Sequence, residues 1–459
     1  MPEVWPTVDD RGPVGKSLLG GRELAEQKRA IRDGKTRKAE ATADKSDASG
    51  MEGISLDSIA RVVGTPCYVY SSALIRAQYD RLRAAMAGLD ARLHYSVKAN
   101  SSIAILSLLR LMGAGVDIVS GGELFRALKA GYAGKDIVFS GVGKTEREME
   151  EALRAEVLLF NVESEQELHV LDAVAKRLGA QAPVALRVNP EVLVDTPHPY
   201  TRTGEKGMKF GIPFDEALSV AKVAAGLSNL RLLGLDMHVG SQISQFAPYE
   251  VGLQRLLHLR REIERETNLR LEYLDIGGGL AVAYDAAELA VDVTQFGEVI
   301  SALVGGAGLK IIVEPGRFIV GNAGVLLTRV LYRKRSGGKE FIVTDAGMTD
   351  LLRPSHYNAF HRIEAVAPNG RTTVADVVGP ICESGDFLAL DRQIDDAQPG
   401  DLLAVQSTGA YGFVMASNYN SRPRPAEVLV DGDKFAVITE RESYDDLVRN
   451  EVAPQWRTS

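Results

Sequence analysis

The stretch His94-Tyr95-Ser96-Val97-Lys98-Ala99-Asn100 closes a short β-prone run, 93–97, on a single lysine, and a polar turn follows. An amphipathic stretch, 103–112, comes next, and then a second apolar run at 116–119. This unit repeats. Between residues 72 and 316 the apolar runs are 93–97, 116–119, 137–140, 157–160, 184–188, 232–238, 274–276 and 311–313. Helical periodicity fills many of the gaps, as at 122–131, 163–178, 213–226 and 248–266. Ser120 stands just before one helix, Thr145 begins another, and Ser164 is expected in the first turn of a third. Eight β-runs, mostly alternating with helices, imply a (β/α)8 barrel of the TIM type over 72–316. A doubly wound sheet is the competitor; the count of eight favours closure.

After Arg317 the helical period fades. Runs at 325–330, 339–345, 373–378, 402–406, 426–430 and 435–440 read as strands of a C-terminal β-rich domain, 317–459. A run at 66–70 is expected to join it, so that 51–71 completes the β-domain from the other chain end. Residues 1–50 differ from the rest: 28–38 are mostly charged and 41–50 mostly small and polar, the composition of a disordered extension.

The 459 residues exceed one small core, and 45% hydrophobic with 25% charged residues is ordinary for a globular chain. A formal charge of -8 argues against nucleic acid as a main partner. Two cysteines, Cys67 and Cys382, build neither a disulfide framework nor a metal cluster. No apolar run approaches a membrane span and the N-terminus lacks a signal peptide's apolar core, so a cytoplasmic protein without membrane partners is expected.

A barrel of this kind carries its chemistry just beyond the C-terminal strand ends. Lys98 stands at the first. Low polarity there is expected to lower its pKa and make it a nucleophile towards an aldehyde; a lysine snorkelling from a strand end is the plainer reading. Gly277, Gly278 and Gly279 follow the seventh run and suit either a phosphate cradle or a plain turn. His238 is either a ring-stacking residue or acid, or a satisfied core histidine; Ser241 offers a hydroxyl nearby. With no second His or Cys at ligand spacing, zinc is not expected. Glu314-Pro315-Gly316-Arg317 puts an acid at the eighth strand end, where it could face a pyridine nitrogen or pair with Arg317. In the β-domain, Cys382 beside Glu383 is either a proton donor or a filler. Tyr411 in a glycine-flanked turn, and Arg353 with Tyr357, read alone as ordinary polar loops.

Together these motifs, with those at 117–123, 140–144, 161–164, 198–211 and 238–243, resemble the fold-type III pyridoxal-phosphate-dependent amino-acid decarboxylases, and among them the diaminopimelate-decarboxylating members, over roughly 51–450. The resemblance implies an alanine-racemase-like barrel plus β-domain with pyridoxal 5'-phosphate as cofactor. It assigns Lys98 to the covalent bond with the cofactor and His238 to ring stacking. It places Ser241, Gly277–Gly279 and Tyr411 near the phosphate and Glu314 at the pyridine nitrogen, with Pro315, Gly316 and Arg317 in the same binding run. It puts Arg317, Arg353, Tyr357 and Tyr411 on substrate. It also sends Cys382 and Glu383 into the site of a partner subunit, making a homodimer with shared sites. Ser96 departs from the alanine common in relatives.

The substrate expectation has a physical argument too. Diaminopimelate has a zwitterionic distal end, which needs an acid for the ammonium and an arginine for the carboxylate. Glu383, Arg317 and Arg353 offer both. The implied reaction is meso-2,6-diaminoheptanedioate to L-lysine and CO2. A decarboxylase of ornithine, lysine or arginine is the alternative; a racemase is disfavoured by Glu314, which makes the ring a strong electron sink.

Overall fold

A computed structural model describes residues 49–192, 198, 203–285, 288 and 290–456. The expected extension falls almost wholly outside the described residues, as does part of the motif at 198–211.

Eight parallel strands close on themselves: Ala91–Ser96, Gly115–Ile118, Ile137–Phe139, Leu159–Val162, Ala182–Asn189, Leu230–Asp236, Tyr273–Asp275 and Lys310–Val313. The last pairs with the first through Val313 and Leu93, and Leu230–Asp236 pairs with both Ala182–Asn189 and Tyr273–Asp275. A two-residue strand, Ile212–Pro213, adds to the rim beside Val188 and Asn189. The doubly wound alternative is thereby excluded. Each apolar run of the sequence lies on one strand, with ends shifted by up to two residues.

Helix starts follow local chemistry. The Ser120 hydroxyl accepts from the Glu123 N–H, and Thr145 forms a reciprocal capping box with Glu148. Ser164 is the N-cap of Glu165–Leu178 rather than part of its first turn: its extended backbone lets the hydroxyl reach back to the Glu167 N–H.

Strand alternation sorts the barrel residues into two sets. Ile137, Phe139, Phe160, Val184, Leu186, Ile311 and Val313 point outward into the main core under the helices. Val138, Leu159, Ala185 and Ile312 form a separate small apolar cluster, the plug inside the barrel. Two residues further along the same strands come Ser140, Asn161, Arg187 and Glu314, all buried. The period of two therefore stacks a polar layer on the apolar plug at the C-terminal end.

The β-domain is built around Gly324–Ser336. Its partners are Lys339–Thr344, Leu402–Val405 and Cys67–Ser71, and the last of these also pairs in parallel with Ala426–Val430. Two strands, Ile363–Ala365 and Phe387–Asp395, were not expected. The first is too short to show a period, and the second is broken by the charged run Asp391-Arg392. Backbone bonds stitch this sheet to the barrel mouth. The Tyr411 N–H donates to the Ala99 carbonyl at 2.8 Å, and Asn100 Nδ2 donates to the Gly409 carbonyl at 3.1 Å. Gly409 has to be glycine, since a Cβ there would lie 1.8 Å from the Val320 carbonyl oxygen.

His94, fully buried in the first strand, is pushed down to about 4, chiefly by burial. Its folded pKa lies below the ordinary 6.5, so its contribution to stability is present above pH 6.5 and is lost as pH falls towards 4. His94→Gln should flatten the urea-unfolding free energy between pH 7 and pH 5 by roughly 2 kcal/mol relative to the native sequence. An unchanged slope would place the acid sensitivity elsewhere.

Candidate functional site

The polar layer carries more carboxylates than cations. Asp117, Asp236, Asp275 and Glu314 are all at most 5% exposed. Oxygens of Asp236, Asp275 and Glu314 lie within 4.8 Å of one another. Three ionised groups so close are costly: at an effective dielectric of 20, each pair repels by about 3 kcal/mol. Protons relieve this. Burial first, then Asp117, Asp275 and Asp236, holds Glu314 well above the usual carboxylate range. Asp236 is raised likewise by burial and by Asp275, and Asp275 is pushed up to about 6. Ser140 donates to Glu314 Oε1 at 3.3 Å, and Asn161 donates to Asp275 at 3.2 Å. Arg187 compensates on one side, bonded to Glu163 at 2.8 Å and 3.9 Å from Asp236.

Lys98 compensates on the other. Its strand ends at Ser96, and Val97–Ala99 form a single tight turn that sets Lys98 at the barrel mouth. Lys98 Nζ donates to Asp117 Oδ2 at 2.6 Å, and the Ser96 hydroxyl donates to the same oxygen at 3.0 Å. The expected drop in the lysine's pKa is corrected here. Burial does press it down, but Asp117, Glu314 and Tyr411 outweigh burial and hold it above the ordinary lysine value. A third of its side chain remains exposed, opening on a cavity of about 330 Å³ that Ser101, Ser120, Glu123, Arg126 and Met415 also line.

His238 lies two residues beyond its strand. Its Nδ1 accepts from the Gly278 N–H at 3.2 Å, and burial with Arg187 and Lys98 nearby keeps the ring neutral, far below pH 6.5. The glycine turn is compressed: a Cβ on Gly278 would meet the Glu314 carbonyl oxygen at 2.0 Å, and one on Gly279 the Gly240 oxygen at 2.1 Å. These glycines therefore serve close backbone packing between strand ends, whatever else they bind. Gly316 is pressed in the same way against Ser96 and Ala99, and the Pro315 carbonyl accepts from the Ser96 N–H.

Glu314 and Arg317 do not pair. Arg317 turns away to donate to the Tyr284 hydroxyl at 2.5 Å and to Ser241 Oγ at 3.1 Å, and its plane lies 4.8 Å from the Tyr411 ring centroid. Its Nε is buried without a hydrogen-bond partner among the described residues. Tyr411 holds a left-handed φ of 55°, a conformation a tyrosine adopts only under constraint. Arg353, at the start of the short helix Arg353–Tyr357, is buried with its guanidinium 4.6 Å from the Tyr284 ring centroid and bonds His361 at 2.8 Å. Tyr357 ends that helix and meets the His198 ring at 5.6 Å.

Lys98, His238, Ser241, the glycine turn, Glu314, Arg317, Tyr411, Arg353 and Tyr357 thus form one contiguous region. Among the described residues, no hydrogen bond or ion pair joins Cys382 or Glu383 to it. Cys382 is exposed, its N–H held by Asn420 at 2.8 Å, and Glu383 bonds Tyr419. Sequence reasoning gave no role to Asp117, Asp236, Asp275, Tyr284 or His361. The first three were legible as acids ending apolar strands; Tyr284 and His361 lie in irregular segments with no periodic signal.

The residues fit pyridoxal 5'-phosphate. The carboxyl layer around Glu314 suits a protonated ring nitrogen, the neutral His238 offers a flat face, and Arg317 has an unpaired buried donor for an anion.

The model of the pyridoxal-dependent decarboxylase pyridoxal-binding domain matches residues 72–321. A diaminopimelate decarboxylase of Aquifex aeolicus is 47% identical, over 87% of this chain and 94% of its own length. One from Pseudomonas aeruginosa is 49% identical, over 87% and 96%. The crystal structure of diaminopimelate decarboxylase from Helicobacter pylori complexed with L-lysine superposes with a TM-score of 0.83 at 39% identity, covering 86% of this chain and 98% of that one.

Asp117→Asn should lower the Lys98 pKa by removing the carboxylate that holds its proton. Cofactor-free protein should then react with an amine-directed aldehyde reagent at pH 8 about tenfold faster at Lys98, read by peptide mapping. An unchanged rate would mean that Asp117 does not set the protonation of Lys98.

Proposed function

The chain belongs to the diaminopimelate decarboxylases of the pyridoxal-dependent decarboxylase family, and from that premise we propose that it converts meso-2,6-diaminoheptanedioate to L-lysine and CO2, the last step of lysine biosynthesis. The observation that carries the substrate assignment is the pair Arg317 and Arg353, buried side by side around Tyr284 without a carboxylate partner among the described residues. A substrate with a distal carboxylate uses such cations. A plain diamine-forming amino acid would be repelled by them.

Bound pyridoxal 5'-phosphate supplies an electron sink for the charge left behind when CO2 departs. The chain's own residues prepare that sink. Lys98 would anchor the cofactor through Nζ, with Asp117, which already accepts from that nitrogen at 2.6 Å, placed to hold its proton. Glu314, held well above the usual carboxylate range by burial and by its neighbours Asp117, Asp275 and Asp236, would share its proton with the ring nitrogen. His238, neutral, packs on the ring face. Ser241, Gly277, Gly278, Gly279, Gly316 and Tyr411 hold the phosphate. Arg317, Arg353 and Tyr357 orient the distal carboxylate.

The reading includes a homodimer. Cys382 and Glu383 sit on an exposed loop of the β-domain, suited to enter the site of a second copy. There Cys382 returns a proton to the substrate carbon, and Glu383 receives the distal ammonium. No helix among the described residues is long and apolar enough to cross a membrane, and the reading places the enzyme in the cytoplasm with the rest of amino-acid synthesis.

Purified protein loaded with cofactor should release CO2 from meso-diaminopimelate at least 100-fold faster than from ornithine, lysine or arginine at equal concentration. Borohydride reduction should leave the cofactor on Lys98 alone. Faster turnover of ornithine, or label on another lysine, would overturn the reading.

Mixing inactive Lys98→Ala protein with inactive Cys382→Ala protein should restore activity, because each mixed dimer holds one intact site. Random reassortment yields at most about a quarter of native activity. Exchange of subunits with no recovery would mean that each site is built from one chain.

A further inference from the structure

Arg353 is an arginine held by a neutral partner. His361 is fully buried, and its Nδ1 lies 2.8 Å from the Gln406 carbonyl oxygen. A carbonyl can only accept, so Nδ1 carries the proton. In the neutral ring Nε2 is then a lone pair, and it lies 2.8 Å from Arg353 Nη1, which donates to it. The backbone is fixed as well, since Arg392 Nη1 donates to the His361 carbonyl at 2.9 Å. The Tyr284 ring closes the arrangement. It stands edge-on to His361 at 5.3 Å, and the Arg353 guanidinium lies 4.6 Å from its centroid.

We propose that His361 is a positioning residue for Arg353, fixing one edge of the guanidinium by a neutral acceptor so that its full charge stays available for the distal carboxylate of the substrate. This rests on the reading of Arg353 as a substrate-binding residue. An Asp or Glu at 361 would hold the arginine as firmly, but it would cancel the charge that attracts the ligand. An apolar residue would keep the charge but leave the guanidinium free to swing away. A neutral histidine does neither.

The ring must stay neutral for this to work. The charges facing it are Arg353, Arg317 and Arg392; Tyr284 and the Gln406 carbonyl complete its surroundings. A protonated ring would add a further cation and turn Nε2–H against Arg353 Nη1–H. Burial first, then Arg353, pushes its pKa down to about 3.

The test compares two competitive inhibitors of the cofactor-loaded enzyme. L-lysine retains the distal carboxylate, and cadaverine lacks it. In His361→Glu and His361→Leu the inhibition constant of L-lysine should rise at least tenfold, and the KM for meso-diaminopimelate with it. Cadaverine should change less than twofold and kcat less than threefold. His361→Gln, which keeps a neutral acceptor, should stay within threefold of native for L-lysine. In the native enzyme the ratio of the two inhibition constants should be flat from pH 8 to pH 5.5, a readout that needs no folded variant. Equal weakening of both inhibitors, failure of Gln to outperform Glu, or a ratio that collapses near pH 6.5 would overturn the proposal. Native enzyme that releases no CO2 from meso-diaminopimelate overturns the functional reading, and the proposal with it. Native turnover combined with any of those results overturns the proposal alone.

Discussion

The repulsion among carboxylates inside the barrel mouth organises the molecule. Asp117, Asp236, Asp275 and Glu314 share one buried layer, with Arg187 and Lys98 as its cations. Several kilocalories of repulsion per protein would accumulate if all four were ionised. The chain relieves it with protons on Glu314 and Asp236, whose carboxyls are held well above the usual range, and with the lysine ammonium against Asp117. Such a layer is a reservoir of protons and a nest for positive charge. A cationic aromatic ring would complete it, whereas an uncharged ligand would leave it as it stands.

The scaffold makes this layer tolerable. Val138, Leu159, Ala185 and Ile312 fill the barrel beneath it, so water does not reach the carboxylates from below. Ser96, Ser140 and Asn161 supply hydroxyl and amide donors of no net charge. Glycines at 277–279 and 316 let strand ends approach within contact of one another, drawing the acids together.

The β-domain contributes the opposite charge. Bonds from Asn100 to Gly409 and from Tyr411 to Ala99 tie it to the turn that carries Lys98. The row Tyr411, Arg317, Tyr284, Arg353 and His361 then runs outward from that seam, with aromatic rings between the guanidiniums. The rings separate like charges without neutralising them. An acidic floor and a basic wall meet at Lys98, which suits a ligand that is cationic at one end and anionic at the other.

The sequence by itself determined the barrel, because strand and helix periods are local and eight of them recur in order. It singled out Lys98, Glu314 and the glycine turn as candidates, because each directly follows an apolar run. Ordered motif resemblance did the same for the family, the cofactor and the substrate expectation. Protonation was not legible. A lysine at a buried strand end reads as one with a lowered pKa, whereas Asp117, 19 residues away in the chain, holds its proton on. Nor was it legible that Arg317 would leave Glu314, three residues back, for Tyr284 and Ser241. These outcomes depend on distances between strand ends and across the seam between barrel and β-domain. Charge acts through space, so only the closed tertiary structure could decide them.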